Sequence, residues 1–305
     1  MNMTRRAALR VLGTAAGAAT AGAWAASEPA PSGLMTRLIP SSGEGLPAIG
    51  LGTWQTFDVG TGAAERAGIS AVLSAFVEEG GRVLDSSPMY GRAETVAGDL
   101  MAEHSLRDRV FVATKVWTTG REAGVEQMEQ SFRRLRVDRI DLLQVHNLVD
   151  VQTHLATLRR WQEAGRVRYV GVTHYTTAGQ DAVARLIERE KVDFIQINYS
   201  VGEREAEQRL LPLARDRGVA VIVNRPFAGG DLFRRLRERP LPAWAAEIDC
   251  TSWAQLLLKF VISHPAVTCA IPATSRVAHL RDNMGAGRGR LPDAAMRQRI
   301  AAEAV

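Results

Sequence analysis

The chain has 305 residues, of which 46% are hydrophobic and 23% are charged, which is typical of a globular protein with one large domain or two small ones. No apolar run reaches the roughly 20 residues that a membrane-spanning helix needs. The net charge is +5, and subtracting the three arginines of the first 25 residues leaves +2, which does not indicate a surface for nucleic acid or anionic membranes.

The first 25 residues differ in composition from the rest. Arg5 and Arg6 precede a weakly apolar run of Ala and Gly that ends in small residues near Ala25. This order is typical of a twin-arginine signal peptide, which directs folded proteins to the export machinery. We therefore expect residues 1–25 to be a signal peptide and the mature protein to be periplasmic. An Ala-rich tail without a targeting role is the alternative.

Beyond the leader, the sequence predicts a linker and then one repeating pattern. Residues 26–45 are rich in Pro, Ser and Gly and predict a linker that runs into a short edge strand or hairpin. In residues 46–305, a short apolar strand followed by an amphipathic helix recurs eight times. The predicted strands are 48–54, 82–85, 110–116, 140–146, 167–172, 194–199, 219–223 and 267–271. The predicted helices are 63–79, 93–103, 124–135, 151–164, 179–189, 205–217, 253–262 and 276–284, with a last helix near 292–302.

Eight such units predict a single-domain α/β protein with a closed (β/α)8 TIM barrel rather than an open sheet. The phosphate-binding turn of an open dinucleotide-binding sheet is missing, because Gly50 and Gly52 are not followed by a third glycine that opens a helix. In such barrels the chemistry takes place at the carboxyl ends of the strands.

The two cysteines, Cys250 and Cys269, show no metal-like spacing. We interpret both as buried thiols and expect no metal site. A disulfide between them stays open, because the predicted compartment is oxidising.

Four polar side chains fall at the ends of neighbouring predicted strands. Asp85 ends the second strand and Tyr90 follows on a Ser-Ser-Pro turn, while Lys115 and His146 end the third and fourth. Each alone has an ordinary explanation, such as a capping carboxylate, a surface phenol, a solvated strand end or a hydrogen-bonded core histidine. Because the ends of parallel strands meet at one rim, we expect the four to share a pocket.

The segments around these residues resemble the catalytic segments of the aldo-keto reductase family. The likeness extends from about Gly50 to Asn283. It implies a barrel fold, NADPH as cofactor, and reversible reduction of a small-molecule aldehyde or ketone. The matching segments are Leu84-Asp85-Ser86-Ser87-Pro88-Met89-Tyr90-Gly91, Ala113-Thr114-Lys115-Val116 and Leu142-Leu143-Gln144-Val145-His146.

The chemistry of the four residues agrees with that reaction. Hydride addition puts negative charge on a carbonyl oxygen, which needs a proton donor and positive potential nearby. An ammonium about 4 Å from a phenol lowers its pKa of about 10 by roughly three units before desolvation opposes it. We therefore expect Lys115 to make Tyr90 the general acid and Asp85 to keep Lys115 charged. A neutral His146 is expected to orient the carbonyl through a hydrogen bond.

The resemblance implies cofactor contacts on the later strands, where this chain departs from the family pattern. A Ser-Asn pair and a Gln commonly hold the nicotinamide amide in the family, and an aromatic ring commonly stacks on the nicotinamide after the seventh strand. This chain has Asn224 at the stacking position, a loss that weakens binding or alters ring placement unless a neighbour such as Phe227 compensates. The expected contacts here are Thr173, His174, Gln196, Asn224 and Arg225.

A last group of cofactor contacts is expected near the eighth strand. Ala273 and His279 stand where family members often carry basic residues, so we assign the 2′-phosphate to Arg276. NADP is therefore expected rather than NAD. The segment that resembles the family's adenosine and 2′-phosphate site contains Ile271, Thr274, Arg276 and Asn283.

The loops after the first four strands are expected to wall the substrate pocket with Trp54, Met89, Trp117 and Asn147. Such walls favour a hydrophobic or aromatic carbonyl, although each residue is equally suited to packing beneath the rim. Two other functions stay open. One is a catalytically idle barrel that binds nicotinamide nucleotide as a sensor or accessory subunit, and the other is a lyase that uses Lys115 as a Schiff base.

Overall fold

The structure, a computed structural model, describes residues 33–305, so the predicted signal peptide lies outside the described residues. The described chain begins beside an antiparallel hairpin of two strands, β1 (Thr36–Leu38) and β2 (Gly45–Pro47). The predicted linker thus runs into a hairpin whose first strand begins at Thr36. None of the helices in residues 33–305 has the length and apolar character needed to cross a membrane.

Eight further strands form one parallel sheet in which neighbours follow chain order. Parallel bridges from Ile49 to Ala270 and from Gly52 to Ala273 join the first of these strands to the last and close the sheet. The predicted (β/α)8 barrel is therefore confirmed. The strands are β3 (Leu51–Gly52), β4 (Val83–Asp85), β5 (Phe111–Val116), β6 (Ile140–His146), β7 (Val167–His174), β8 (Phe194–Asn198), β9 (Ala220–Asn224) and β10 (Val267–Ala270).

Helices cover the outside of the barrel, and most match the predicted ranges within a few residues. The helix predicted over 205–217 is shorter, with a 3-10 turn at Glu205–Glu207 before it. The short helix at Asp231–Leu236 was not predicted, because the glycine pair before it indicated only a break. The helices are α1 (Ala63–Glu78), α2 (Ala93–Glu103), α3 (Arg121–Leu135), α4 (Val151–Glu163), α5 (Gln180–Arg189), α6 (Leu210–Asp216), α7 (Asp231–Leu236), α8 (Trp253–Ile262), α9 (Val277–Gly285) and α10 (Ala294–Ala304).

The hairpin plugs the amino-terminal end of the barrel. Ile39 and Leu46 join a buried cluster with the side chains that start the barrel strands, such as Phe111 and Phe194. Glu44, between β1 and β2, forms ion pairs with arginines of the barrel base, Arg82 and Arg168. A cleft opens instead at the opposite end, at the carboxyl ends of the strands.

Both cysteines are buried free thiols, so the disulfide that the sequence left open is not formed. Burial raises the pKa of the Cys250 thiol to about 11, which leaves it unreactive near neutral pH. Within residues 33–305, no cluster of His, Cys, Asp and Glu side chains is arranged to hold a metal ion.

Candidate active site

A cleft of about 610 Å³ opens at the carboxyl ends of the barrel strands. Asp85, Tyr90 and His146 line it, and Lys115 lies directly beneath with only 1% of its surface exposed. The structure therefore brings together the four residues that the sequence singled out. Such convergence at the end of several strands is how barrel enzymes assemble their chemistry.

Asp85 and Lys115 form a buried ion pair at the bottom of this cleft. Asp85 is the last residue of β4 and Lys115 the last but one of the adjacent β5, and Lys115 Nζ lies 2.6 Å from Asp85 Oδ2 and 2.7 Å from the carbonyl oxygen of Ser86. Burial disfavours the ammonium, but the Asp85 carboxylate and Tyr90 more than offset this, so the pKa of Lys115 is raised. A charged, enclosed lysine is unsuited to forming a Schiff base, which argues against the lyase alternative.

Tyr90 reaches this pair from the turn after β4. The adjacent Gly91 has φ +59°, a left-handed backbone that glycine adopts without strain, and the turn brings the ring centroid to 5.1 Å from Lys115 Nζ. Burial raises the pKa of Tyr90 more than the neighbouring ammonium lowers it, with Asp85 adding to the rise. The expected net lowering of this pKa is therefore wrong, because desolvation outweighs the cation. The hydroxyl keeps its proton at neutral pH.

His146 faces Tyr90 across the cleft as a neutral ring. The ring centroids lie 6.4 Å apart with the planes nearly perpendicular, at 87°. Burial and the Lys115 charge lower the pKa of His146 to about 3. Its Nδ1 is buried without a hydrogen-bond partner in residues 33–305. A neutral imidazole agrees with the expected role as a hydrogen-bond donor.

The depressed pKa of His146 predicts a loss of stability in acid. Unfolded histidine binds a proton below pH 6.5, whereas the folded ring resists protonation down to about pH 3. Proton binding therefore stabilises the unfolded state relative to the folded state as the pH falls through this window. At pH 4 the cost is on the order of 3 kcal/mol. The free energy of unfolding, measured with denaturant from pH 7 to pH 4, should decline less steeply for His146→Asn than for wild type. His279→Asn, at an exposed histidine, is the control. An equal dependence of the free energy of unfolding on pH in all three proteins contradicts the prediction.

Three of the expected cofactor residues form a connected group on the other side of the cleft. Gln196 Nε2 donates to Asp85 Oδ1 at 2.7 Å, and its Oε1 accepts from Thr173 Oγ1 at 3.3 Å and from Asn224 Nδ2 at 3.5 Å. Arg225 and Ile271 also line the cleft. Arg225 has a left-handed backbone at φ +50° and a buried Nε without a hydrogen-bond partner in the described chain.

The other expected cofactor residues lie outside the cleft lining. The His174 ring packs over Gly179 on the outside of the barrel, which disagrees with a direct role in holding the nicotinamide. Thr274 is buried beside the exposed Arg276, which precedes α9, and Asn283 is buried within α9. The Arg276 backbone N–H donates to Thr274 Oγ1 at 3.2 Å just after β10, and none of the three residues lines the cleft.

Large apolar side chains surround the mouth of the cleft. Of the seven large hydrophobic residues that are exposed in residues 33–305, five line this one cleft, so the exposure is concentrated there rather than scattered. Asn147 also lines it and keeps its Oδ1 buried and unpartnered among the described residues. The five are Trp54, Met89, Trp117, Tyr175 and Phe233.

Some residues of the site were missed in the sequence. Gln144 is fully buried and its Nε2 lies 3.4 Å from Asp85 Oδ1, and Thr53 Oγ1 donates to the Asp85 carbonyl oxygen. Tyr175 lies in the loop after β7 and Phe233 lies in helix α7, and the sequence indicated the direction of neither side chain. Gln144 was recognisable, because a polar residue in the apolar strand β6 needs a polar partner inside the barrel.

The cleft at the carboxyl ends of the strands thus joins a protonated phenol, a buried ammonium and a neutral imidazole, groups that are suited to protonating an oxygen. The sequence matches the aldo/keto reductase family over residues 48–302. The chain belongs to this family and is an oxidoreductase.

Known relatives agree with this assignment. Methylglyoxal reductase YeaE of Escherichia coli strain K12 is 31% identical over 258 residues, which cover 82% of this chain and 89% of that protein. An aldo/keto reductase of Klebsiella pneumoniae, solved in complex with NADP and acetate, is 28% identical with a TM-score of 0.68, covering 86% of this chain and 93% of the other. Aldo-keto reductase AKR11C1 of Bacillus halodurans shares the fold, at 23% identity and a TM-score of 0.73 over 89% of this chain and 97% of the other.

Proposed function

We propose that this chain reduces an aldehyde or ketone to an alcohol with NADPH, and that Tyr90 donates the proton. The observation that carries the proposal is the convergence of Tyr90, Lys115, Asp85 and His146 on one cleft. The protonated state of Tyr90 supports reduction near neutral pH, since alcohol oxidation needs the phenolate as a base.

Each of these four residues has a separate role in the reduction of the carbonyl. Tyr90 supplies a proton to the oxygen as negative charge develops there, and the neutral His146 donates a hydrogen bond that orients the same oxygen. Lys115 stabilises the tyrosinate left after proton transfer, and Asp85 holds the ammonium in place. NADPH, when bound, supplies the hydride.

The cleft has groups that fit this cofactor. Asn224 presents an unpartnered buried acceptor and Arg225 an unpartnered buried donor, both lining the cleft within the described chain. Arg276, exposed beside the end of β10, is the residue assigned to the 2′-phosphate. The Klebsiella relative was solved with NADP, which favours the same cofactor here.

We assign the substrate to the hydrophobic or aromatic carbonyls. The aromatic mouth, including Trp54, Trp117 and Tyr175, offers apolar contact area around the reacting group. The cleft of about 610 Å³ leaves room for a ring-sized group. Methylglyoxal, from which the E. coli relative takes its name, is a small polar carbonyl and serves as the comparison substrate.

Loss of NADPH absorbance with a panel of carbonyls tests the function. We expect turnover, with kcat/KM higher for an aromatic aldehyde than for methylglyoxal. Tight nucleotide binding without turnover of any carbonyl would instead support the idle sensor or accessory subunit. Absence of both nucleotide binding and turnover would overturn the proposal.

We also propose export of the folded protein to the periplasm by the twin-arginine route. The proposal is supported by the sequence of residues 1–25, which lie outside the described part of the chain. Replacing Arg5 and Arg6 with lysine should retain the full-length protein in the cytoplasm in cell fractionation. Equal export of the unchanged and substituted chains contradicts the proposal.

A further inference from the structure

We infer that Asn224 Oδ1 accepts a hydrogen bond from the carboxamide NH2 of the nicotinamide, a group that the family pattern assigns to positions 173, 174 and 196. The inference rests on the proposed function and concerns how this chain departs from its family. Three structural observations carry it: the direction of His174, the engagement of Gln196 and the unpaired oxygen of Asn224.

His174 is directed away from the cleft. It is the last residue of β7, where side chains alternate between the two faces, and the preceding Thr173 faces the interior. His174 Nδ1 accepts a hydrogen bond from the backbone N–H of Thr176 at 3.3 Å, and the ring stacks on Tyr175 at 6.0 Å and 15°. A Cβ at Gly179 would lie 2.2 Å from the ring Cγ, so the imidazole fills the space over this glycine.

Gln196 already has partners at both ends of its amide. Its Nε2 donates to the Asp85 carboxylate at 2.7 Å, and its Oε1 accepts from Thr173 and Asn224. The bond to Asp85 is charge-assisted and therefore among the stronger ones in the site. Releasing Gln196 to hold a carboxamide sacrifices this bond, whereas using Asn224 Oδ1 sacrifices none.

Asn224 is held so that only its oxygen is free. The residue ends β9, and its Nδ2 points at the His174 carbonyl oxygen and at Gln196 Oε1, each 3.5 Å away. Because the amide is planar, these contacts fix the direction of Oδ1, which is buried and unpartnered within residues 33–305. Asn224 lines the cleft. A buried oxygen without a donor is costly, and a primary carboxamide supplies the matching donor.

Equilibrium binding of two oxidised dinucleotides tests the inference without turnover. The ligands are NADP⁺ and its analogue with an acetyl group in place of the carboxamide, followed through quenching of the fluorescence of Trp54 and Trp117, which line the cleft. Wild type should bind NADP⁺ about 5- to 10-fold more tightly, which corresponds to one neutral hydrogen bond. In Asn224→Ala this ratio should fall to about 1.

His174→Ala is the matched control and should keep the wild-type ratio. A ratio that collapses in His174→Ala and persists in Asn224→Ala overturns the inference. Adenosine 2′,5′-bisphosphate, which lacks the nicotinamide, checks that each variant still binds nucleotide. If Asn224→Ala loses this fragment, Asn224→Leu, which has a similar volume and no polar atom, takes its place with the same expected ratio.

The ligands also separate this inference from the proposed function. Failure of wild type to bind either dinucleotide or the fragment contradicts the proposed function. Equal wild-type affinity for NADP⁺ and the acetyl analogue, with normal fragment binding, contradicts only the role of Asn224. The nicotinic acid analogue, whose carboxylate faces Oδ1 without a donor, should bind wild type more weakly than the acetyl analogue. Equal or tighter binding overturns the inference without any variant.

Discussion

Replacing Tyr90 by Phe should lower kcat for carbonyl reduction by about 10²- to 10⁴-fold while leaving the dissociation constant for NADPH within a few-fold of wild type. The substitution removes the hydroxyl and its proton but keeps the ring that lies 5.1 Å from Lys115 Nζ. Steady-state kinetics with an aromatic aldehyde and fluorescence titration with NADPH measure the two quantities.

Tyr169→Phe is the matched control, because it removes a phenol hydroxyl at the base of the barrel. That hydroxyl donates to Ser42 and Glu44 in the loop of the hairpin, at the end of the barrel opposite the cleft. The control should lower stability modestly and leave kcat unchanged. If Tyr90→Phe keeps more than about a tenth of wild-type kcat, Tyr90 is not the general acid.

Replacing Lys115 by Met should shift the alkaline limb of the reduction profile to higher pH and weaken the fold. The ammonium lowers the pKa of Tyr90 against burial and Asp85, both of which raise it, so its loss lets this pKa rise further. The kcat/KM that remains in Lys115→Met, measured as a function of pH, gives the position of the alkaline limb for comparison with wild type.

The same substitution also leaves Asp85 buried without its counter-charge, at a cost of about 3–5 kcal/mol in the free energy of unfolding. Lys259→Met is the control, since Lys259 is equally buried but donates to the backbone oxygens of Ile248 and Arg290. It should destabilise the protein without moving the alkaline limb. An unmoved limb in Lys115→Met shows that the ammonium and the phenol are not coupled.

The main elements of the fold and the reacting groups were readable from the sequence because both depend on local pattern. Asp85, Lys115 and His146 each end an apolar run, and the parallel arrangement of β4, β5 and β6 brings such ends together. Tyr90 needed only a tight turn to reach them. The helix α7 was missed, because Gly229 and Gly230 gave a strong break signal and the six residues after them are too few for a periodic pattern.

Properties that depend on burial and side-chain direction were not readable. The sequence placed Lys115 beside Tyr90 but gave no measure of desolvation, which reverses the net direction of the pKa shift of Tyr90. His174 was assigned to the cofactor from its position in the chain. In a strand, one step along the backbone reverses the side chain, and the inward place in β7 belongs to Thr173.

The hairpin that seals the barrel base also determines how the protein can be handled. Its buried residues, Ile39 and Leu46, lie against the starts of the strands. Gly33, the first described residue, precedes this hairpin and therefore lies at the end of the barrel away from Tyr90 and His146. A support or reporter attached just ahead of Gly33 therefore leaves the mouth of the barrel facing the bulk solution. Immobilisation through this end should keep diffusion of carbonyl and nucleotide unobstructed.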